Sequence, residues 1–386
     1  MSAEAAAAAV RTDRVTALAA ELIRCDTRNP PGGEQPAVER LSVVLRELGA
    51  GIEVVEPEPG RPSVLARVGS GDGPTLLVNG HIDVVPVAEA DWSVPPFGGH
   101  VRDGLLYGRG ACDMKGGIAA ALEGLRACRE AGVIPPAAIA FHLVADEETG
   151  GRVGTEALVK SGLVKADAAV VPEPSELKVG VAERGSLMAE IVVRGRAAHG
   201  SDPAAGRSAV ADAARIVSAL HLADFGIDAH PLLGSPTCNV GTIAGGTAVN
   251  IVAAECRLRV DRRVLPGETR EEALATVTRL IDAAGEFDYD ATVLAFAEGS
   301  KLDAGHPFIT EVRQAAEHAP VRGLKLGTDA RFLRNQLGIP SVVYGPGSMT
   351  VAHTADEYVP VAELATAART FARLYATFRG VTSNDG

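Results

Sequence analysis

The stretch of sequence that decides how this chain folds is Thr75-Leu76-Leu77-Val78-Asn79-Gly80-His81-Ile82-Asp83. A short apolar run that stops at a glycine is typical of a fully buried strand in a parallel sheet. Similar runs recur, and we predict buried strands at Val64–Val68, Thr75–Asn79, Ile139–Val144 and Ala168–Val171. Segments with helical spacing alternate with these strands, notably at Pro36–Leu48 and Lys115–Ala131. The alternation predicts an α/β fold with a mostly parallel mixed sheet flanked by helices.

The middle of the chain, about 179–294, follows a different order of elements. We predict strand, helix, strand, strand, helix and strand at Leu187–Arg194, Ser208–Leu220, Thr237–Ile243, Ala254–Arg262, Thr269–Ala284 and Tyr289–Phe296. This βαββαβ order is typical of a ferredoxin-like α+β domain. The α/β pattern resumes from about 295, with elements predicted at Pro307–His318, Thr328–Asn335, Ser341–Gly345 and Val361–Phe378. We therefore predict a discontinuous domain, 1–178 and 295–386, that encloses an inserted domain, 179–294.

Composition narrows the possible partners. The net charge is −12 over 386 residues and no Lys/Arg-rich run is present, which argues against nucleic acid and anionic membranes as partners. The five cysteines are odd in number and scattered, so we expect no disulfide framework and a cytoplasmic location. The Ala-rich start lacks a basic segment, so we expect the start of a helix there, not a signal peptide. No apolar stretch reaches the roughly 18 residues of a membrane span.

Several residues of the types that bind metals follow apolar runs. They are His81, Asp83, Asp113, Glu147, Glu148, Glu173 and His353. In open α/β sheets, ligands and catalytic groups gather at the carboxyl ends of the strands. Imidazole and carboxylate together suit zinc or cobalt, so the pattern favours a metallohydrolase.

Each of these residues also has a simpler interpretation. His81 and Asp83 are two residues apart in an extended segment, so their side chains face the same side and Asp83 can orient the imidazole. A polar strand end explains the same pair. Asp113 precedes a predicted helix, and taken alone it is better explained as the cap of that helix than as a metal ligand. Glu147 and Glu148 form either a solvated acidic turn or a pair in which one binds metal and one moves a proton.

Five segments together resemble a known family, the dinuclear zinc amidohydrolases and peptidases. That family includes acetylornithine deacetylase, succinyl-diaminopimelate desuccinylase, aminoacylase and glutamate carboxypeptidase. The segments are Gly80-His81-Ile82-Asp83-Val84-Val85-Pro86, Gly108-Arg109-Gly110-Ala111-Cys112-Asp113-Met114-Lys115-Gly116-Gly117, Asp146-Glu147-Glu148, Glu173-Pro174 and Ala352-His353-Thr354. The resemblance covers nearly the whole chain and is strongest to the first two enzymes.

The resemblance implies a role for each residue. The implied ligands are His81, Asp113 and Glu173 for one ion, and Asp113, Glu148 and His353 for the other. Asp83 would orient His81, and Glu147 would be the general base for a metal-activated water. The implied cofactor is a pair of divalent ions, zinc first and cobalt second.

The resemblance also implies roles for the inserted domain. It would act as a lid and dimerisation domain, and His199 would help to bind the oxyanion, from the same subunit or from the partner in a homodimer. The residues implied to face the substrate are Asn250, Arg263, Arg331 and Gly347. Arginine suits a carboxylate, although a surface salt bridge explains each arginine as well.

Glu173 bears on the substrate, because deacylases of this family resemble the chain at that position whereas its peptidases usually carry aspartate. The segment Thr328-Asp329-Ala330-Arg331 indicates the same group. The expected activity is hydrolysis of an N-acyl amino acid or related N-acyl amine. The alternatives are a metallo-carboxypeptidase or dipeptidase and, more remotely, a non-catalytic binding protein. The sequence leaves open the acyl group, the amine, the pathway and the physiological metal.

Overall fold

The computed structural model describes residues 2–69 and 73–381, which form two compact units. The large unit comprises Met1–Val181, Leu302–Arg322 and Thr328–Gly386. The small unit comprises Ala182–Lys301 and Gly323–Gly327. The predicted division at 294 differs from these bounds, because it falls inside the strand Asp288–Ala297.

The strands are numbered in chain order. They are β1 (Gly51–Val55), β2 (Ser63–Val68), β3 (Thr75–His81), β4 (His100–Arg102), β5 (Leu105–Tyr107), β6 (Ala138–Val144), β7 (Ala168–Val171), β8 (Val179–Glu183), β9 (Gly185–Arg194), β10 (Thr237–Gly245), β11 (Glu255–Val264), β12 (Asp288–Ala297), β13 (Ser300–Lys301), β14 (Val321–Leu324), β15 (Ser341–Val343) and β16 (Tyr358–Pro360).

The helices are numbered in the same way. They are α1 (Ala3–Ala8), α2 (Thr12–Arg24), α3 (Gln35–Glu47), α4 (Gly116–Glu130), α5 (Thr155–Lys160), α6 (Ala209–Leu220), α7 (Arg270–Ala284), α8 (Pro307–Ala315), α9 (Ala330–Leu337) and α10 (Val361–Thr377). Among the described residues, none of these helices is long and apolar enough to cross a membrane.

The large unit is built on a mixed sheet in the order β1-β2-β6-β3-β7-β15-β8. Its four central strands, β6, β3, β7 and β15, run parallel. All residues of β3, β6 and β7 are buried, which explains why apolar residues follow one another along these strands and do not alternate with polar ones. The predicted α/β architecture is confirmed.

Helix α4 packs against α10, and its Ile118 side chain lies 3.1 Å from the position of a Cβ atom added at Gly80 of β3. A side chain at Gly117 in its first turn would place a Cβ atom 1.9 Å from the carbonyl oxygen of Pro172. Glycine therefore allows α4 to approach the segment that follows β7, which carries Glu173.

The small unit contains a four-stranded antiparallel sheet in the order β10-β11-β9-β12, packed against α6 and α7. Strand β11 alternates between exposed and buried residues, since only one face of this sheet meets the helices. A capping box formed by Thr269 and Glu272 begins α7. The element order and the sheet order are those of a ferredoxin-like domain.

Candidate metal centre

The predicted site residues of the large unit meet at the carboxyl edge of its parallel strands. His81 is the last residue of β3 and pairs with Val144, the last residue of β6. The turn that carries Glu147 and Glu148 follows β6 directly. Glu173 lies two residues beyond the end of β7. The parallel register therefore places chemistry-bearing residues from three strands at one edge.

Asp113 lies between two histidines and presents a different oxygen to each. Its Oδ1 atom is 2.9 Å from His81 Nε2, and its Oδ2 atom is 3.3 Å from His353 Nε2. Glu173 Oε1 is 3.4 Å from the same His81 nitrogen. Glu148 Oε2 is 3.1 Å from His353 Nε2. The structure thus brings together two groups of donors that share the Asp113 carboxylate.

Glu147 lies beside the same cluster. One of its oxygens lies within 4.8 Å of donor atoms of His81 and Glu173, as close a grouping as that of His81, Asp113 and Glu148. Its Oε1 atom is 3.8 Å from Arg331 Nη1. Distance alone therefore does not separate Glu147, the expected base, from the expected ligands.

Asp83 contacts both His81 and the turn that follows β6. His81 Nδ1 is 3.0 Å from the main-chain oxygen of Asp83 and 3.5 Å from its Oδ1 atom, so the carbonyl is the nearer partner. The Asp83 carboxylate accepts hydrogen bonds from the backbone N–H groups of Glu147 and Glu148, at 3.2 and 3.3 Å. It also accepts one from Asn29 Nδ2 at 2.8 Å. Asn29 was not predicted, and no local sequence pattern marks it.

Asp113 does not cap the helix that follows it. Helix α4 begins at Gly116, and its N-cap position is Lys115, without a side-chain capping bond. Asp113 lies instead in an irregular turn, Ala111–Lys115, in which its backbone is not helical. The capping interpretation of Asp113 is therefore wrong, and its carboxylate is free to face the histidines.

The cluster contains several buried carboxyl groups and too little positive charge to neutralise them all. Burial raises the pKa of Glu147 well above its usual value, raises that of Glu148, and raises that of Glu173 to about 8. Hydrogen bonds to Asp113 and Glu148 raise the pKa of His353 to about 10. Burial opposes ionisation of Asp113 too, but its hydrogen bonds to His353 and His81 outweigh burial and lower its pKa.

These residues fit a pair of divalent cations. Among the described residues, the buried Glu148 Oε1 atom has no hydrogen-bond partner. A buried carboxylate oxygen without a partner is costly unless a cation or donor compensates it. Carboxylate and imidazole are donors that zinc accepts, and Asp113 can reach both groups of donors at once.

Arg331 and Gly347 were predicted to face the substrate. The Arg331 guanidinium is buried and donates to the carbonyl oxygens of Thr328 and Gly150, at 2.9 and 3.1 Å. Gly347 has a φ of +84°, and a Cβ atom there would lie 2.5 Å from Cys112 Sγ. Both residues thus support loops that border the cluster, whereas their contact with substrate remains a prediction.

His199, Asn250 and Arg263 belong to the small unit. His199 is exposed, with Nδ1 at 2.7 Å from Ser201 Oγ, and the N–H of the next residue, Gly200, donates to the Asn250 carbonyl at 2.7 Å. Arg263 lies on β11 and pairs with Asp261 at 2.9 Å. The structure brings His199 and Asn250 together, and the roles of all three in catalysis stay predictions.

Comparison with known proteins gives consistent results. The family model for peptidase family M20/M25/M40 matches residues 77–377. The acetylornithine deacetylase of Myxococcus xanthus is 35% identical over 329 residues, covering 82% of this chain and 84% of that protein. A tripeptidase from Staphylococcus aureus is similar in structure with a TM-score of 0.79 at 25% identity, covering 95% of this chain and 99% of that one. A dinuclear metal-binding peptidase of family M20 from Bacillus subtilis has the same fold, with a TM-score of 0.69 at 17% identity over 95% of this chain and 97% of that one.

Proposed function

Because this chain belongs to peptidase family M20/M25/M40, we propose that it is a metal-dependent hydrolase that cleaves the amide bond of an N-acyl amino acid or related N-acyl amine. One observation carries the proposal. The Asp113 carboxylate offers separate oxygens to His81 and His353, each of which has a further carboxylate within 3.4 Å. A shared carboxylate suits a site for two neighbouring cations.

The proposed ligands are those that cluster in the large unit. His81, Asp113 and Glu173 would hold one ion, and Asp113, Glu148 and His353 the other. Such a pair, with zinc proposed first and cobalt second, would lower the pKa of a water molecule and polarise an amide carbonyl when bound.

Glu147 is the proposed proton carrier of the reaction. Its backbone is fixed by the Asp83 carboxylate, and its side chain keeps 13% of its surface exposed, so solvent and substrate can reach it. A carboxylate beside the proposed ligands can accept a proton from water and later donate it to the leaving amine nitrogen. His199 would stabilise the oxyanion, in cis or in trans.

The relatives support deacylation over peptide cleavage. Two of them, from Myxococcus xanthus and Vibrio campbellii, are acetylornithine deacetylases at 35% and 31% identity. The Glu173 side chain at the position that usually carries aspartate in the peptidases agrees with them. The second candidate is a peptidase, a metallo-carboxypeptidase or dipeptidase, because the neighbour from Staphylococcus aureus is a tripeptidase and thus cleaves peptides. The complete set of donors and Glu147 argue against a non-catalytic binding protein.

The experiment that tests the substrate class is a panel of N-acyl amino acids and dipeptides, assayed with zinc- and cobalt-loaded protein. We expect higher kcat/KM on N-acetyl or N-succinyl substrates and loss of activity with a chelator. A preference for dipeptides would overturn the deacylase assignment but not the hydrolase assignment.

A homodimer through the small unit is proposed on separate grounds. Exposed apolar side chains, Val210, Val249 and Ile251, line a groove of about 590 Å³ in that unit. Contiguous exposed apolar surface favours a protein partner, and a second copy of the chain is the proposed one. A dimer in light scattering that becomes a monomer on Val249→Asp would support it, whereas a monomeric parent protein would contradict it.

A further inference from the structure

Glu357 is a fully buried carboxylate that no motif of the sequence marked. Its Oε1 atom accepts hydrogen bonds from the backbone N–H groups of Cys112 and Asp113, at 2.9 and 3.1 Å. Its Oε2 atom pairs with Arg109 Nη1 at 2.5 Å. The Arg109 guanidinium in turn lies 5.2 Å from the ring centre of Trp92. Among the described residues, the hydrogen bonds and the ion pair of this carboxylate are thus all made to residues 109–113, the segment that carries Asp113.

The segment held by Glu357 has no regular structure of its own. Residues Ala111–Lys115 form an irregular turn, and Asp113 has φ −118° and ψ 96° inside it. One helical-type bond spans this turn, from the Lys115 N–H to the Gly110 carbonyl at 3.0 Å, but it does not involve Asp113. Side chains from elsewhere therefore help to fix the Asp113 backbone. Glu357 supplies two of those bonds with one oxygen, and a charged acceptor makes each of them stronger than a neutral one.

The short segment 353–357 therefore contacts Asp113 at two places, its side chain and its backbone. His353 reaches the Asp113 carboxylate through Nε2, and Glu357, four residues later, reaches the Asp113 backbone. Strand β16 begins directly after Glu357 and pairs with β5, with Tyr358 opposite Tyr107. The pairing anchors residues 353–357 against the strand that leads into the Asp113 turn.

We propose that Glu357 is a positioning residue that fixes the backbone of Asp113 and thereby sets the affinity of the centre for its metal ions. This inference rests on the proposed function, because it requires Asp113 to be the shared ligand. The physical reason is geometric: a carboxylate shared between two ions tolerates little displacement, and Glu357 removes the freedom of the turn that carries it.

The alternative is that Glu357 only stabilises the fold. Glu123 on α4 provides a matched control for that role. It is likewise buried, pairs with Arg14 at 2.7 Å and accepts a backbone N–H from Arg11 at 2.9 Å. It belongs to neither group of metal donors. Both glutamates are therefore buried and paired with an arginine, but of the two only Glu357 holds a ligand segment.

The experiment measures zinc dissociation constants by competition with a chromophoric chelator for the parent protein, Glu357→Gln, Glu357→Ala and Glu123→Gln. Urea unfolding of each metal-free protein reports stability separately. We expect the Glu357 variants to bind zinc about 10- to 100-fold more weakly, with the alanine variant the weaker, as is usual when a partner of a metal ligand is lost. Glu123→Gln should lose stability and keep the zinc affinity of the parent.

Folded Glu357 variants with the parent affinity, or an equal loss of affinity in Glu123→Gln, would overturn the inference. A parent protein that binds no zinc would instead refute the proposed function, so the two failures are distinguishable. If neither Glu357 variant folds, Glu357→Asp decides, because it keeps the charge and shortens the side chain. Weaker zinc binding by folded Glu357→Asp supports the inference, and the zinc affinity of the parent contradicts it.

Discussion

The backbone N–H of Glu147 donates a hydrogen bond of 3.2 Å to Asp83 Oδ1. Asp83 had been expected to orient His81, and its carbonyl oxygen does contact that ring. Its carboxylate, however, is mainly occupied by the turn that carries the proposed base. Asp83 thus couples the geometry of a proposed ligand to that of the proposed proton carrier.

Replacing Asp83 by asparagine should reduce kcat. The NH₂ group of the new side chain is a hydrogen-bond donor, and it would face either the backbone N–H of Glu147 or the Asn29 amide, which are donors too. The turn would shift to separate the facing donors. We expect a loss of about 10- to 100-fold in kcat with zinc still bound. Steady-state kinetics and metal analysis check this, with Asp26→Asn as the control because Asp26 is exposed and pairs with Arg28. Unchanged kcat would show that the carboxylate is dispensable.

Replacing Glu147 by glutamine should abolish most turnover without removing metal. General acid–base catalysis contributes roughly 10²- to 10⁴-fold, so kcat should fall by about that factor. The zinc content should remain that of the parent protein, because Glu147 is assigned as the base. Zinc content that falls together with kcat would instead make Glu147 a ligand, which its proximity to His81 and Glu173 also permits.

Stability should fall in mild acid because of His142, a buried residue of β6. Burial lowers the pKa of its imidazole from the usual 6.5 to about 4. The folded state therefore resists protonation, so its stability is full above pH 6.5 and is lost as the pH falls from 6.5 towards 4. The two pKa values predict a loss of about 2 kcal/mol at pH 5 from this residue.

The check on His142 is urea unfolding at pH 7 and pH 5. His142→Leu should reduce the difference in unfolding free energy between the two pH values, whereas the exposed-strand variant His100→Leu should leave it as in the parent. An identical pH dependence in His142→Leu and the parent would contradict the assignment.

Gly347→Ala should destabilise the protein by about 2–4 kcal/mol, the sum of a left-handed backbone and a steric conflict. The added Cβ atom would lie 2.5 Å from Cys112 Sγ. Gly267 is the matched control, with a φ of +96° and no atom within 4 Å of an added Cβ. Unfolding free energies should show a larger loss for Gly347→Ala than for Gly267→Ala. Equal losses would mean that the turn at Cys112 moves aside freely.

The sequence predicted the parts of this site that follow local patterns. The run Thr75–Asn79 indicated a buried strand, and its position before His81 placed that residue at a sheet edge. Asn29 and Glu357 could not be found in the same way, because they act across 54 and 244 residues, on Asp83 and Asp113 respectively. Only the folded backbone brings such pairs together.

The predicted domain boundaries differ from those of the structure for a similar reason. Strand β12 continues to Ala297, beyond the predicted boundary at 294, and residues Gly323–Gly327 return to the small unit. A boundary drawn from the order of elements cannot locate a segment that rejoins a unit later in the chain.

A zinc titration of metal-free protein, with hydrolysis of an N-acyl amino acid followed at each step, tests the central claim most directly. We expect no activity in the metal-free protein, a rise that saturates at about two zinc ions per chain, and no such rise in Asp113→Ala. Full hydrolysis in the metal-free protein, or a parent-like titration in Asp113→Ala, would contradict it.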